Sequence, residues 1–175
     1  MFINLTDVLT SENKVVKAQP DIELSNVHVG SEEFTVRVSS PVKLILTNIG
    51  KGEARIEGKA EFVLDMQCDR CLKPITQPLV LDFSRDVYAP DKLAGLPDEA
   101  EDQEFVEGYQ LNVDDLLRNE IIINWPTKVL CKPDCKGICR QCGQDLNTGT
   151  CSCDTFVPDP GMAVIKDILS GNKEV

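Results

Sequence analysis

Apolar and polar residues alternate along much of the first half of the chain. The clearest run covers residues 54–68, where every second position holds an apolar residue, a glycine or a cysteine. A period of two is typical of a half-buried β-strand, because successive side chains point to opposite faces of the sheet. The run therefore predicts one long strand.

Shorter runs with the same period lie on both sides of this strand, at residues 34–38, 42–46 and 79–83. Residues 48–52, Asn-Ile-Gly-Lys-Gly, precede the long strand and favour a hairpin, because asparagine and glycine tolerate positive φ. Four or more antiparallel strands are expected. The predicted fold class is α+β, mainly an antiparallel β meander or partly open barrel, with one or two short helices and a cysteine-rich zinc-binding C-terminal module.

The pattern changes to helical spacing near residue 112. Asn112 is a suitable N-cap, and Asp114 and Asp115 would lie in the first turn, where the helix dipole favours acidic side chains. Apolar spacing then continues the predicted helix to about Ile123. A closing helix is predicted from Met162, Ile165, Ile168 and Leu169.

These patterns divide the chain into five predicted segments. Residues 1–88 form an antiparallel β domain, and residues 89–112 form an acidic linker and strand. Residues 113–125 form a helix, residues 126–157 form the cysteine-rich zinc module, and residues 158–175 form a C-terminal helix and tail.

The net charge of the 175-residue chain limits its partners. Eighteen basic residues against 29 acidic ones give −11, so the chain as a whole repels phosphate backbones and anionic lipids. This charge excludes a protein that coats nucleic acid nonspecifically. The chain has no apolar run of about 18 residues. Its first residues lack the basic and apolar regions of a signal peptide, so a cytoplasmic location is expected.

The charge is unevenly distributed. Residues 86–120 carry 11 acidic side chains against Lys92 and Arg118, and residues 89–103 are predicted to form a solvated loop. Residues 125–153 have instead a formal charge of +2. Their basic side chains either contact RNA phosphates or acidic protein surfaces, or balance anionic zinc–thiolate centres. These candidate contact residues are Lys128, Lys132, Lys136 and Arg140.

Eight cysteines occur as four close pairs within residues 68–153. A disulfide scaffold is the weaker interpretation, because residues 1–67 contain no cysteine and no export signal is evident. Two pairs brought face to face supply the four thiolates of a tetrahedral zinc site, so eight sulfurs predict two sites. The candidate metal ligands are Cys68, Cys71, Cys131, Cys135, Cys139, Cys142, Cys151 and Cys153.

Two assignments of these cysteines to two sites are open. The favoured assignment forms a local site from the last four cysteines and a long-range site from the first four, because the short spacer Lys136-Gly137-Ile138 between Cys135 and Cys139 suggests a change from one site to the other. Gly143, directly after Cys142, permits the knuckle turn of the local site. The other joins the four cysteines within residues 131–142 and leaves the first and last pairs together. Either kind of site would be closed, with no open position for catalysis.

Thiol redox chemistry or metal handling is the alternative function. Arg70 lies between Cys68 and Cys71 and would favour a thiolate. However, Pro74 and Pro78 follow too closely for the helix that redox C-x-x-C motifs precede. Iron in the same sulfur cage is a third interpretation. A single histidine and no phosphate-binding glycine loop give little support for an enzyme.

Two cysteine motifs carry a family resemblance. They are Cys68-Asp-Arg-Cys71-Leu-Lys-Pro74 and the run Cys131-Lys-Pro-Asp-Cys135-Lys-Gly-Ile-Cys139-Arg-Gln-Cys142-Gly-Gln-Asp-Leu-Asn147 with Cys151-Ser-Cys153. In this order they resemble the bacterial YceD family, the large ribosomal RNA subunit accumulation proteins. The family often has proline where this chain has Arg140, a departure that leaves the sulfurs intact.

The resemblance implies a cytoplasmic accessory protein, not an enzyme, that is needed for large-subunit ribosomal RNA to accumulate. Its partner would be a large-subunit RNA precursor or a basic ribosomal protein. Some members of the family keep the first C-x-x-C and a ligand-like pair after the helix but lack the last four cysteines. This implies the grouping of Cys68 and Cys71 with Cys131 and Cys135.

Overall fold

A computed structural model of the chain describes residues 1–93 and 103–153. The described residues form two compact units. The first unit consists of Met1–Gln67 and Pro74–Val129, and the second of Cys68–Lys73 and the chain from Leu130 onward. The predicted closing helix at residues 162–169 and most of the predicted solvated loop lie outside the described residues, and the five-segment division stays a prediction.

Nine strands and three helices are formed by the described residues. The strands are β1 (Phe2–Asn4), β2 (Val15–Ala18), β3 (Asn26–Val29), β4 (Glu32–Val38), β5 (Lys43–Gly50), β6 (Glu53–Gln67), β7 (Pro74–Tyr88), β8 (Val106–Glu107) and β9 (Gln110–Asn112). The helices are α1 (Thr6–Thr10), α2 (Pro90–Leu93) and α3 (Val113–Ile123).

The long strand predicted from alternation is confirmed as β6, which organises the larger sheet. Strand β7 pairs with all of it, from Glu53↔Tyr88 to Gln67↔Pro74. On the opposite edge, β5 pairs with residues 53–59 and β4 with residues 62–64, so these two strands lie end to end. Strand β2 pairs with β5, and β3 pairs with β4.

The predicted meander is wrong at one step, since β4 pairs with β6 rather than with β5. The physical reason is length. Strand β6 has 15 residues whereas β5 has eight, so half of one edge of β6 is left for another strand. The expectation of a mainly antiparallel sheet with short helices is confirmed, and within the described residues the sheet does not close into a barrel.

A smaller sheet has the order β1-β9-β8 and joins the start of the described chain to the residues before α3. In it, Phe2 pairs with Asn112 and Asn4 with Gln110. The helix predicted from residue 112 is confirmed, with the Asn112 side chain accepting a hydrogen bond from the Asp115 amide at 3.4 Å. Among the described residues, no helix has the length and apolar character needed to cross a membrane.

The core lies on the face of β6 that carries the alternating apolar residues, with α1 in contact with β5 and β6, and α3 in contact with β7. Gly58 interrupts this apolar row. The Phe83 ring occupies the space beside it, because a Cβ at residue 58 would be 2.1 Å from Phe83 Cζ. The core therefore continues across the glycine through a side chain from β7.

Acidic residues of the stretch 86–120 are engaged within the first unit. Asp86 accepts from Arg55 at 2.7 Å, and the Glu120 carboxylate, which is 2% exposed, lies 2.5 Å from Arg85. Asp115 pairs with Arg118 on α3. These side chains are therefore not free acidic contacts for a partner. Asp98, Glu99, Glu101 and Asp102 lie outside the described residues.

Candidate metal centres

The connection between β6 and β7 carries the first two cysteines. The Cys68 amide donates to the Lys73 carbonyl, and the Leu72 amide donates to the Cys68 carbonyl, both at 2.9 Å. Leu72 has a φ of 58°, in the left-handed region that closes a tight turn. Cys68 and Cys71 thus lie in a strand-to-strand turn, and β7 rather than a helix follows them, in agreement with the expectation that Pro74 and Pro78 exclude a helix.

Cys131 and Cys135 meet this turn within the second unit. The Sγ atoms of Cys71 and Cys131 are 3.5 Å apart, and those of Cys68 and Cys135 are 3.8 Å apart. All four sulfurs lie within 4.8 Å of one another. We call these four residues the first sulfur cluster. Three of the four are buried, and Cys131 is exposed.

Cys139, Cys142, Cys151 and Cys153 form the second sulfur cluster, whose Sγ atoms also lie within 4.8 Å of one another. The predicted knuckle turn is present: Gly143 has a φ of 72°, and its amide donates to the Cys139 carbonyl at 2.9 Å. Only Cys139 is buried in this cluster. The sequence left two assignments of the cysteines open. The structure has the one in which the first four cysteines form a long-range group and the last four form a local group.

Backbone amides stabilise one thiolate at the start of each C-x-x-C. Burial raises the pKa of Cys68, but hydrogen bonds from the amides of Cys131, Arg70 and Cys71 outweigh it and lower the pKa to about 6. Hydrogen bonds from the amides of Cys142 and Gln141 lower the pKa of Cys139 to about 6. Such donors satisfy metal-bound thiolates in the same way.

The pKa of another thiol in each cluster is raised. A hydrogen bond with the Cys71 sulfur and burial raise the pKa of Cys131 to about 12. A hydrogen bond with the Cys142 sulfur and burial likewise raise the pKa of Cys153 to about 12. The cause is general, because thiolates at such short distances repel one another and shared protons offset the charge. A cation at the centre of each cluster would replace those protons.

The geometry fits a thiophilic divalent cation. A tetrahedral zinc site with Zn–S bonds of about 2.3 Å has sulfurs about 3.8 Å apart. The sulfur pairs of the first sulfur cluster, at 3.5 and 3.8 Å, match this spacing. Four sulfurs from protein fill a tetrahedron, so neither cluster offers a free coordination position for a substrate.

Among the polar residues around the sulfurs, only Arg70 was expected from the sequence to act on a thiol. Arg70 donates to the Cys135 carbonyl at 2.6 Å, and Asn147 Nδ2 donates to Cys135 Sγ at 3.5 Å. Lys73 Nζ lies 2.6 Å from an Asp145 carboxylate oxygen. Arg70 and Lys73 adjoin the first C-x-x-C, which was a usable signal, whereas nothing near Asn147 in the sequence points to Cys135.

The four basic candidate contact residues are all exposed. Lys132, Lys136 and Arg140 belong to the second unit, and Lys128 belongs to the first. Lys132 Nζ lies 3.9 Å from an Asp134 oxygen, a contact that leaves it open to solvent. The three basic residues of the second unit therefore stand beside the two sulfur clusters in the chain and face water.

Comparison with known proteins gives a consistent set of relatives. The model of the family described as large ribosomal RNA subunit accumulation protein YceD matches residues 56–169, which include all eight cysteines. A maize protein, "Large ribosomal RNA subunit accumulation protein YCED homolog 1, chloroplastic", is 24% identical over 131 residues, covering 59% of this chain and 45% of the maize protein.

Mycobacterial proteins also match. Uncharacterized proteins of Mycobacterium bovis and Mycobacterium tuberculosis are 25% identical over 126 residues, which cover 64% of this chain and 61% of theirs. The chain thus spans about half the length of the curated relatives it matches, from 45% to 61%. No solved structure matches it.

Proposed function

The chain belongs to the YceD family of large ribosomal RNA subunit accumulation proteins, and from this membership we propose that it is a non-enzymatic, cytoplasmic accessory factor for the accumulation and assembly of large-subunit ribosomal RNA. The observation that carries the proposal is the family match over residues 56–169, which includes both sulfur clusters. The factor acts by binding a large-subunit RNA precursor, with a basic ribosomal protein as the other partner to be tested.

Two structural Zn²⁺ ions are part of the proposal, one held by each sulfur cluster. The support is the sulfur spacing of 3.5 and 3.8 Å in the first cluster and the amide hydrogen bonds to Cys68 and Cys139. Elemental analysis of the purified full chain should find two zinc ions per chain. Iron instead of zinc, or free thiols that titrate without a chelator, would favour the redox or metal-handling alternative.

The RNA contact is assigned to Lys132, Lys136 and Arg140. They are exposed in the second unit, whereas the chain as a whole carries a net charge of −11 and is a poor match for phosphate. Contacts to phosphates release counterions, so binding should weaken steeply with salt. This arrangement predicts local attachment to RNA by one small region rather than coating.

The association can be tested by sedimenting a tagged full chain through sucrose gradients of cell lysate at low and high salt. Each fraction is probed for large-subunit RNA precursors. The proposal expects co-migration with the precursors at low salt and release at high salt. A protein that stays at the top of the gradient under both conditions is not stably associated with them, and the proposal then fails.

The contact residues can be tested by replacing Lys132, Lys136 and Arg140 with alanine. The slope of log affinity against log salt should fall by about one for each phosphate contact removed. The matched control replaces Lys14, Lys17 and Lys43, exposed lysines of the first unit, and makes the same change in net charge. If the two triple variants weaken binding equally, overall charge rather than a local contact explains the effect. If replacing Lys132, Lys136 and Arg140 leaves binding unchanged, the contact is excluded.

A further inference from the structure

The loop between Cys142 and Cys151 connects two ligands of the second sulfur cluster, yet one of its side chains reaches the first. Asn147 Nδ2 donates to the Sγ of Cys135 at 3.5 Å. Cys135 belongs to the first sulfur cluster and is 1% exposed. A hydrogen bond from a neutral amide stabilises a buried thiolate ligand. The loop of one cluster therefore completes the surroundings of the other.

The orientation of the Asn147 side chain is determined by its other hydrogen bonds. Its Oδ1 accepts from the Lys136 amide at 2.9 Å, and its Nδ2 also donates to Asp145 Oδ1 at 2.7 Å. The Asn147 amide donates to the same Asp145 oxygen at 2.9 Å. Because Oδ1 accepts from the Lys136 amide and Nδ2 donates to Asp145, the side chain can direct only its NH₂ group at Cys135.

The same loop is attached to the knuckle of the second sulfur cluster. The Cys139 amide donates to the Gln144 carbonyl, and the Leu146 amide donates to the Gly137 carbonyl, both at 2.9 Å. Ile138 and Asp145 form an isolated antiparallel bridge. The position of Asn147 thus depends on the turn that the second sulfur cluster closes.

A second link joins this loop to the first C-x-x-C. Lys73, two residues after Cys71, lies 2.6 Å from the Asp145 carboxylate. Hydrogen bonds from Lys73 and from Asn147 lower the pKa of Asp145 to about 2, so the carboxylate is charged at neutral pH. The loop therefore makes two contacts at the first sulfur cluster. Asn147 contacts the Cys135 sulfur, and Asp145 contacts Lys73 on the segment that follows Cys71.

We propose that the two sulfur clusters bind their metals cooperatively, with Asn147 as the positioning residue that couples them. The proposal rests on metal binding as part of the proposed function. A thiophilic divalent cation in the second cluster ties Cys142 to Cys151 and so orders the loop, which places Asn147 against Cys135 and raises the metal affinity of the first cluster. By linkage, a metal in the first cluster raises the affinity of the second by the same factor.

The first test closes the second cluster to metal in the full chain by Cys151→Ser with Cys153→Ser. Zinc affinity of the first cluster is measured by competition with a chelator, and occupancy of each cluster by cadmium-113 NMR. The affinity of the first cluster should fall by a factor within the usual range of coupling, about 5 to 150. An unchanged affinity overturns the cooperativity.

The second test asks whether Asn147 carries the coupling. Asn147→Ala should weaken the first cluster about 10-fold or more, as loss of a hydrogen bond to a ligand typically does. In that background, Cys151→Ser with Cys153→Ser should add little. Gln144→Ala is the matched control, because this amide of the same loop donates to the Thr150 carbonyl at 3.3 Å and its removal should leave the affinity unchanged.

Native mass spectrometry with cadmium gives a readout that needs no cysteine variant. At one equivalent of metal, the fraction of chains with a single ion should be lower in the wild-type chain than in Asn147→Ala. Equal fractions in the two proteins overturn the role of Asn147. A wild-type chain that takes up no metal overturns the zinc part of the proposed function, whereas two metals bound independently overturn the cooperativity alone.

Discussion

Two glycines of the second unit adopt positive φ in different surroundings, so substitution by alanine should have different effects at the two positions. Gly137 has a φ of 79°, and a Cβ there would lie 2.9 Å from the Arg70 carbonyl oxygen. Gly143 has a φ of 72°, but a Cβ there would meet nothing within 4 Å. Gly143→Ala should therefore cost only the left-handed penalty, about 1 kcal/mol.

Gly137→Ala should destabilise the second unit more than Gly143→Ala does. The added Cβ would clash with the carbonyl oxygen of Arg70, which is part of the backbone of the first C-x-x-C. Zinc affinity by chelator competition measures the difference, and we expect Gly137→Ala to lose clearly more affinity than Gly143→Ala. Equal losses would show that the close approach to Arg70 contributes nothing.

The Arg55–Asp86 pair predicts one component of the pH dependence of stability. The hydrogen bond from Arg55 holds the pKa of Asp86 below its usual value. A carboxylate with a lowered pKa in the folded state stabilises the protein above its unfolded pKa, about 3.9, and loses this contribution as the pH falls through the folded pKa. Asp86→Asn should therefore lower the unfolding free energy at pH 7, by up to about 1 kcal/mol for such an exposed pair.

At a pH of about 3, below the unfolded pKa, the same substitution should have a smaller effect than at pH 7. Urea unfolding followed by the fluorescence of the single tryptophan, Trp125, measures both values. Asp21→Asn, a change at an exposed acidic residue, is the control. A difference between Asp86→Asn and wild type that is the same at both pH values would contradict the assignment.

Residues that act through local spacing were predictable, and residues that act across the chain were not. Neighbouring residues in the sequence identify the cysteine pairs, Gly143 and Asn112. The structure has the sulfur grouping and the helix cap that these local patterns predict. Asn147 and Glu120 gave no such signal. Asn147 ends the family motif and Glu120 lies in the predicted helix, but neither pattern indicates the partner that the folded backbone brings to each side chain.

At the scale of elements, one ion pair joins β7 to α3 beside their shared apolar core. The Glu120 side chain of α3 is 2% exposed, and Arg85 of β7, 39% exposed, lies 2.5 Å from it. Arg85→Ala would leave a buried carboxylate without its cation, which costs about 2–3 kcal/mol, less than for a fully buried pair. Urea unfolding at pH 7 measures the loss.

Arg37→Ala provides the comparison, since the Arg37–Asp65 pair of the larger sheet is 58% and 42% exposed. It should change the unfolding free energy by less than about 1 kcal/mol. If the two arginine variants were equally stable, burial of Glu120 would not govern the strength of the β7–α3 contact.

Element types followed from the sequence more readily than element partners. Alternation predicted β4, β5, β6 and β7, because each has a solvated and a buried face. It carried no information on which strand lies beside which, so the pairing of β4 with β6 was missed. Strand β1 and helix α1, with three and five residues, are too short for any period to show.

At the scale of the whole molecule, the two units are stabilised by different interiors. The hydrophobic core consists of residues of the first unit. In the described part of the second unit, the buried side chains of apolar class are cysteines: Cys68, Cys71, Cys135 and Cys139. A unit this small without an apolar core usually needs a metal or a disulfide to fold.

Removing metal from the purified chain should therefore unfold the second unit and leave the first folded. Hydrogen exchange in the presence of a zinc chelator should show lost protection for amides of residues 131–153 and retained protection for β6. Readdition of zinc is the control and should restore the protection. Amides of residues 131–153 that stay protected after the metal is gone would contradict a metal-dependent interior.

The pairing of β1 with β9 constrains the order in which strands can pair while the chain is synthesised. Phe2 lies opposite Asn112 in the smaller sheet, so during synthesis β1 must wait for its partner until β9 has been made. At about 5–20 residues per second, that wait is roughly 5 to 20 s of synthesis. The β6–β7 hairpin needs only neighbours in the chain and can form earlier. During synthesis β1 therefore stays without its partner strand for longer than β6 does.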